Sequence, residues 1–379
     1  VATANKPTVA IYRRGFLPLS ETFIADHIRS LGRYNPLVIA DNLVSGHDPQ
    51  RYNPHLLHKS SSGRLRRLCG RLTGNYALQP PGSPSLIHAH FLQDGAGILS
   101  YALRRRLPLI VTAHGYDATV SAREHARRTE GMWYLALKPF LIRYVEGIVC
   151  VSNWIKHCLM ERGYPEEKLR VIRLGIDADG LPQARSAYHR RGALFVGRLV
   201  EKKGVRHLLD AWAKLPPALQ EEPLTIIGDG PLMPELRAQA ERLGIKPHFL
   251  GPRPREQVFD AMARHRIFAM PSMRAANGDS EGLPIVLMEA QAMGMPVIVF
   301  DEGPMREAIL PGQSGLLARA GDTDDYASHL GLLLRSGDLS RDLGEAGRTH
   351  VRKQFDVGDN VGALEDFYDE VIARHQRSS

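Results

Sequence analysis

Two carboxylates eight positions apart, Glu281 and Glu289, stand in the run PSMRAANGDSEGLPIVLMEAQAMGMPVIVF at 271–300. Eight steps of a helix turn about 800°, roughly 80° out of register, so the two acids need not share one face. With a helix beginning only after Gly282 and Pro284, Glu281 lies in the loop before it and Glu289 on the helix itself. That suits one bound molecule touched at two places. The helix N-terminus between them would turn unpaired N–H groups toward an anion. A second chemical pair sits in FVGRLVEKKG at 195–204, where a strand runs into a glycine-bounded loop carrying Arg198 and Lys203. A departing diphosphate needs fixed positive charge where its negative charge grows, and Arg gives a planar fork where Lys gives a compact point charge. Taken alone, such a pair is more often a surface salt-bridge set.

Weaker signals mark other strand ends. TAHGYD (112–117) ends an apolar run with His114, Gly115 and Asp117. HAHF (88–91) sets His88 and His90 on one side of a strand, and with no third ligand at metal spacing both read as structural. IIGDGP (226–231) reads as a generic strand-to-helix turn whose glycines permit positive φ. HFLG (248–251) leads into PRPREQ. RRGFLPLSETFI (13–24) offers one glycine, Gly15, then Phe16 and Pro18, with Ser20 placed to cap a helix whose first turn holds Glu21.

These positions need a scaffold of strands that end at a common edge. Short β-rich runs alternate with amphipathic stretches throughout, the pattern of an α/β protein with largely parallel sheets. Strands are expected at 9–12, 36–40, 86–90, 109–114, 147–152 and 169–175, with helices at 21–33, 94–106, 130–145 and 153–162. A fresh start follows a glycine- and proline-bearing linker at 176–190. There, strands at 193–199, 224–230, 248–251, 267–272 and 296–300 alternate with helices near 204–214, 233–243, 255–263 and 285–293. In open sheets of this kind, ligands bind at the carboxyl ends of the strands. The tail beyond Asn360 has a helical apolar stripe of Leu364, Phe367, Tyr368 and Val371.

The 379 residues suit two domains, and 43% hydrophobic with 24% charged residues is the balance of a soluble globular protein. No apolar run approaches the ~18 residues of a membrane span, and the first residues lead into a strand pattern rather than a secretory signal. Three cysteines, Cys69, Cys150 and Cys158, make neither a metal spacing nor an even framework, so a cytoplasmic setting is expected. The net charge of +8 is uneven: Arg64, Arg66, Arg67 and Arg71 crowd one segment, and Arg104, Arg105 and Arg106 another. As a helix, 64–72 gathers Leu65, Leu68, Cys69 and Leu72 on one side. A solvated helix with a buried stripe is the plainer reading, and peripheral contact with the inner face of an anionic membrane the other. No aromatic-interleaved basic module points to nucleic acid.

The paired glutamates, preceded by the Arg–Lys loop and by His-Gly-x-Asp, resemble the motifs of retaining glycosyltransferases, particularly glycosyltransferase family 4. The resemblance runs from Val9 to about Phe355 and is densest over 193–322. It implies the GT-B fold class, two facing Rossmann-like α/β domains with mainly parallel sheets and an interdomain cleft. The first, 1–182, would face the acceptor, 190–355 would bind the nucleotide sugar, and 356–379 would form a helix packing back on the first. The resemblance further implies a nucleotide-diphospho-sugar donor, carrying UDP or GDP, whose diphosphate meets Arg198 and Lys203. Glu289 would hold the ribose, and Glu281 with Gly282 and Leu283 the sugar. Gly251 and Arg253 would line the nucleobase, and His114 would contact the sugar near the reacting centre. Gly15 stands where the family usually carries a glycine-rich loop against the donor phosphate, and Asp117 would orient its loop or touch the acceptor. The SETF and NGDSEG segments look like those of members that extend surface polysaccharides, colanic acid among them, so the acceptor would be a glycan or lipid-linked oligosaccharide. A front-face route, in which the leaving phosphate takes the acceptor proton, needs neither metal nor cofactor. The alternatives are a sugar-nucleotide epimerase of the same fold and a non-catalytic nucleotide-sugar-binding module. A pyridoxal-dependent phosphorylase would need a much longer chain.

Overall fold

A computed structural model describes the chain except residues 1–5, 19–20, 47, 49–50, 59–63, 77, 183–188 and 379, and except the side chains of 64–67 and 378. Two compact units result, 1–175 together with 357–379, and 176–356. In the first, the strands are β1 (Thr8–Tyr12), β2 (Gly15–Phe16), β3 (Asn35–Ala40), β4 (Asn42–Leu43), β5 (His55–Leu56), β6 (Leu86–His90), β7 (Leu109–Ala113), β8 (Gly147–Cys150) and β9 (Leu169–Val171). Its helices up to Gly175 are α1 (Thr22–Ser30), α2 (Arg64–Thr73), α3 (Leu92–Arg105), α4 (Tyr116–Thr119), α5 (Ala122–His125), α6 (Thr129–Tyr144) and α7 (Asn153–Glu161). The second unit carries β10 (Arg191–Val196), β11 (Leu224–Ile227), β12 (His248–Gly251), β13 (His265–Met270), β14 (Val297–Phe300) and β15 (Gly315–Ala318). Between and after these come α8 (Val205–Ala213), α9 (Pro217–Gln220), α10 (Met233–Leu243), α11 (Arg255–Arg264), α12 (Ile285–Ala292), α13 (Met305–Ala308), α14 (Thr323–Arg335) and α15 (Gly337–Gln354). A last helix, α16 (Val357–Ser378), returns to the first unit.

Each unit is built on a parallel sheet, ordered β5-β3-β1-β6-β7-β8-β9 in the first and β12-β11-β10-β13-β14-β15 in the second. Parallel sheets are covered on both faces, which is why LIHAH of β6, LIVTA of β7 and VIVF of β14 are buried at every position. Helices start where side chains supply the missing acceptors: Ser152 Oγ accepts from Ile155 N–H at α7, and Asp322 from Asp324 and Asp325 N–H at α14. The second core joins Phe195, Ile226, Ile267 and Phe300 from strands to Leu208, Trp212, Tyr326 and Leu330 from helices.

The stripe of α16 enters the first core, where Leu364, Phe367, Tyr368 and Val371 pack with Val9, Ile11 and Ile110. Gly147 makes room for it, since a Cβ there would stand 2.4 Å from the Phe367 ring. Beside that contact the buried Glu365 accepts the backbone N–H groups of Gly32 and Arg33, at 2.9 and 2.7 Å.

Elements differ from the sequence expectation in identifiable ways. The division falls at 175/176, ahead of the expected linker's middle. Strands stop earlier than their apolar runs because the last residues turn out into loops: 147–152 shortens to Gly147–Cys150, and 169–175 to Leu169–Val171. The helical pair α14 and α15 and the edge strand β15 were not expected. Glu307 lies in the four-residue α13. Within the described part of the 64–72 stripe, Leu68 is half-buried and Cys69 and Leu72 are exposed. In α2 the inward positions are Gly70, against Tyr76 and His58, and half-buried Arg71, whose Nη2 lies 2.5 Å from Asp41 Oδ2. Asp41 is a buried carboxylate and requires that partner. Cys69 is left exposed, and Leu72 is 52% exposed.

Candidate functional site

In the second unit the loop after β10 and the loop after β11 meet backbone to backbone. Gly197 N–H donates to Ile227 O at 3.0 Å, and Leu199 N–H to Asp229 O at 2.9 Å. Gly228, at φ +137°, is pressed so close that a Cβ would lie 1.9 Å from Gly197 O. Only glycine permits this approach, so IIGDGP is more than a generic turn. The contact fixes the strand-end loop from which the short 3₁₀ turn Glu201–Lys203 presents two lysines.

Lys203 Nζ lies 2.9 Å from Glu281 Oε1, in a pair whose side chains are 14% and 10% exposed. Lys202 Nζ reaches Asp279 Oδ1 at 3.0 Å. Burial raises the Glu281 carboxyl, but Lys203 and Lys202 outweigh it and hold the group below its ordinary value. Lys202 is likewise drawn down by burial and lifted further by Glu281 and Asp279, with Arg198 acting against them. Arg198 itself is exposed on the same loop. The structure thus gathers Arg198, Lys202, Lys203, Asp279 and Glu281, three cations against two carboxylates. Lys202 and Asp279 were not expected as members. The loop NGDSEG brings Asp279 in, and no local spacing announces that pair.

Helix α12 begins at Ile285, directly after Glu281, Gly282, Leu283 and Pro284, and no side chain caps its first turn. Glu289 stands on this helix, buried, and accepts a bond from Arg255 Nη2 at 2.8 Å. Arg255 is the first residue of α11, whereas the expected Arg253 lies exposed in the preceding loop. In PRPREQ the cation that reaches Glu289 is the one already on the helix. Gly251 adopts φ +70° with open space on its Cβ side, and its carbonyl accepts Gly228 N–H at 2.9 Å. Leu283 is buried.

In the first unit His114 follows β7, its ring held between Phe23 and Phe91 with centroids 4.6 and 4.7 Å away. Asp117 is 1% exposed, and its oxygens accept N–H bonds from Leu92, His114 and Gly115 at 2.9, 3.0 and 3.0 Å. Of the two roles expected for Asp117, the structure shows the loop-orienting one. Burial raises its pKa even so, against those three bonds.

Gly15 sits in β2, paired with β4, rather than in a glycine-rich loop. The segment after β1 is instead tied down by Arg13, which donates twice to Glu21 at 2.8 Å and once to Asp94 at 2.7 Å. Glu21 is therefore an ion-pair partner. Ser20 lies outside the described residues. His88 and His90 do gain a third imidazole, His27 of α1, with one ligand atom of each ring within 4.8 Å of the others. A helix far away in sequence supplies it, so spacing along the chain could not reveal it.

Two family models match the chain, Glycosyltransferase Family 4 over residues 24–179 and Glycosyl transferases group 1 over 184–350. The amylovoran biosynthesis glycosyltransferase AmsK of Erwinia amylovora is 32% identical over 69% of this chain and 64% of its own. The putative colanic acid biosynthesis glycosyltransferase WcaL of Salmonella typhimurium is 27% identical over 76% and 68%. A GDP-mannose-dependent α-(1-6)-phosphatidylinositol monomannoside mannosyltransferase of Mycolicibacterium smegmatis is 32% identical over 53% and 56%. For AmsK and the mannosyltransferase, the match spans less than two thirds of the relative's own length. Among solved structures, Anabaena Alr3699/HepE in complex with UDP-glucose superposes with a TM-score of 0.76 at 19% identity, covering 96% of this chain and 99% of that one. Sucrose-phosphate synthase of Thermosynechococcus elongatus gives 0.74 at 18%, covering 97% and 100%. These likenesses carry the fold class, GT-B, with its two mainly parallel α/β units. With one glycosyltransferase model over each unit, and polysaccharide and glycolipid enzymes among its relatives, the chain belongs to glycosyltransferase family 4.

Proposed function

We propose that the protein transfers a sugar, with retention of its anomeric configuration, from a nucleotide-diphospho-sugar to a hydroxyl of a glycan or lipid-linked oligosaccharide. The observation that carries this reading is the buried Glu281–Lys203 pair beside Arg198 and ahead of the uncapped N-terminus of α12. A diphosphate entering there meets three cations and open helix N–H groups, so charge growing on the leaving group is stabilised without reorganisation. Lys203, released from Glu281 by the incoming phosphate, turns to it, and Glu281 is then free to accept from the sugar's hydroxyls. Glu289, steadied by Arg255, takes the ribose hydroxyls. Gly251 and Gly228 bring backbone to the base and phosphates. The leaving phosphate removes the acceptor's proton, and Arg198 and Lys203 supply the charge that a metal ion would otherwise bring. His114 is taken as a sugar contact. The relatives' names favour a surface polysaccharide or glycolipid product.

The donor site is tested by thermal unfolding with a panel of UDP- and GDP-sugars. One donor at about a hundred times its dissociation constant adds about 2.7 kcal/mol to the wild type, and much less to Arg198→Ala. Equal stabilisation of both proteins by every donor speaks against the site.

A lipid-linked acceptor also requires the enzyme to work at a bilayer surface. No described helix is long and apolar enough to cross a membrane. Helix α6, however, exposes Met132, Trp133, Phe140 and Tyr144 along one side, and Phe140 is 55% exposed. The helix α3 packed against it exposes Leu103 and Arg104, Arg105 lies beside them, and α2 adds Leu72. Aromatic residues with flanking arginines suit the interface of an anionic membrane. Co-sedimentation with phosphatidylglycerol vesicles is expected for the wild type and reduced for Trp133→Ser/Phe140→Ser. Equal recovery of both in the supernatant contradicts the contact.

A further inference from the structure

Six buried or half-buried side chains of the first unit join end to end. Thr112 Oγ1 lies 2.6 Å from His88 Nε2, and His88 Nδ1 lies 2.5 Å from the Tyr368 hydroxyl. Tyr368 continues to His27 Nε2 at 3.2 Å, His27 Nδ1 to His90 Nε2 at 3.3 Å, and His90 Nδ1 to His114 Nε2 at 3.0 Å. The chain ends at His114 Nδ1, which is shielded from solvent and has no hydrogen-bond partner among the described residues. Stacking of His88 on His90 and of His90 on His114 holds the rings in place.

All four imidazoles are neutral at ordinary pH. Burial lowers His27 to about 4 and, with the Arg13 guanidinium nearby, His114 to about 3; His88 and His90 fall well below their ordinary value for the same reason. A neutral imidazole has one N–H and one lone pair. Each contact therefore fixes the next, and only two arrangements satisfy every link. In one, Thr112 donates to His88 and every ring carries its hydrogen on Nδ1. In the other, every ring carries it on Nε2. The second leaves two polar atoms unmatched among the described residues, the Thr112 hydroxyl hydrogen and the lone pair at His114 Nδ1. The first leaves a single group, an Nδ1–H on His114. Each arrangement leaves one donor unmatched and the second leaves a buried acceptor unmatched as well, so the first arrangement is the more stable.

We propose that Thr112, His88, Tyr368, His27 and His90 are positioning residues that fix His114 as its Nδ1–H tautomer, so that a ligand group meeting this ring nitrogen must be an oxygen that accepts its hydrogen. The last clause rests on the reading of His114 as a donor-sugar contact. The tautomer assignment does not. The ligand group that meets His114 must then accept a hydrogen bond, and a group offering only a hydrogen there is rejected.

Selective ¹⁵N labelling of histidine in the full chain reads the tautomers directly from long-range ¹H–¹⁵N correlations, with assignments from single His→Gln variants. Nδ1–H is expected at His27, His88, His90 and His114, with or without a nucleotide sugar that binds. Tyr368→Phe removes the donor to His27 Nε2 and nothing from the ring's packing. In that variant the Nδ1–H fraction at His114 should fall about twofold, the limit for two tautomers of equal energy. Should Tyr368→Phe not fold, Thr112→Val releases the chain from its other end, with the same result expected. Nε2–H at these rings in the wild type overturns the proposal. So does an unchanged His114 spectrum in a folded Tyr368→Phe or Thr112→Val, which would leave those residues merely structural. A tightly held equivalent of zinc ligated by His27, His88 and His90 overturns it as well. If no nucleotide sugar binds, the functional reading fails while the tautomer pattern still stands or falls by itself.

Discussion

Lys203→Ala is expected to lower sugar transfer about 10²–10³-fold, the cost of removing one fixed charge from a stabilised leaving group. It should also destabilise the fold, because Glu281 is left buried without its counter-ion. Breaking a fully buried pair costs about 3–5 kcal/mol, and the partial exposure of Lys203 puts this case at the lower end. The double variant Lys203→Ala/Glu281→Gln should recover much of that stability and none of the activity. Denaturant unfolding beside a transfer assay separates the two effects, and equal stability of the single and double variants would remove the pair from the account. A pH dependence follows. Burial raises the Glu281 carboxyl and the lysines more than reverse it, so the folded value lies below the ordinary 4.5. The contribution of the pair is therefore complete above pH 4.5 and is lost as pH falls through the lowered value. Lys203→Ala should lose less stability than the wild type on acidification across that window.

Asp117→Ala should be the most destabilising single change in the first unit. It strands three backbone N–H groups, those of Leu92, His114 and Gly115, at about 1–3 kcal/mol each. Asp117→Asn retains one accepting oxygen and should fall between alanine and wild type. Urea unfolding measures the order. If alanine at this position costs no more than an average surface change, the loop after β7 is held by something other than this carboxylate, and His114 loses its stated support.

Much of the scaffold was legible in the chain because parallel strands are buried on both faces and read as unbroken apolar runs. The start of α12 was visible for the same kind of reason, since Gly282 and Pro284 punctuate the pattern before Ile285. What the chain concealed were meetings in space. Lys203 and Glu281 were each visible as candidates, but their direct pairing was not. Asp279 found Lys202 through a loop insertion that carries no periodicity. His27 lies on α1 and reaches His90 only through the fold, so the histidine cluster looked two-membered. Arg255, the first residue of α11, meets Glu289, a partner that nothing in PRPREQ announced. On α2 the sequence showed the apolar positions but not the buried Asp41 that Arg71 meets, and Leu72 stands exposed. Roles at the acceptor end had no comparable signal, and the loop around Gly15 is organised by Arg13 rather than by glycines.

The central claim is tested most directly by following the purified protein with each nucleotide-diphospho-sugar by ¹H NMR, and reading the anomeric proton of the sugar released in the first turnovers. Transfer to water or to an added glycan with the donor's own anomeric configuration, slowed about 10²–10³-fold in Lys203→Ala, is the predicted result. Release of the opposite anomer, epimerisation of the donor without release, or inertness toward every nucleotide sugar would contradict it.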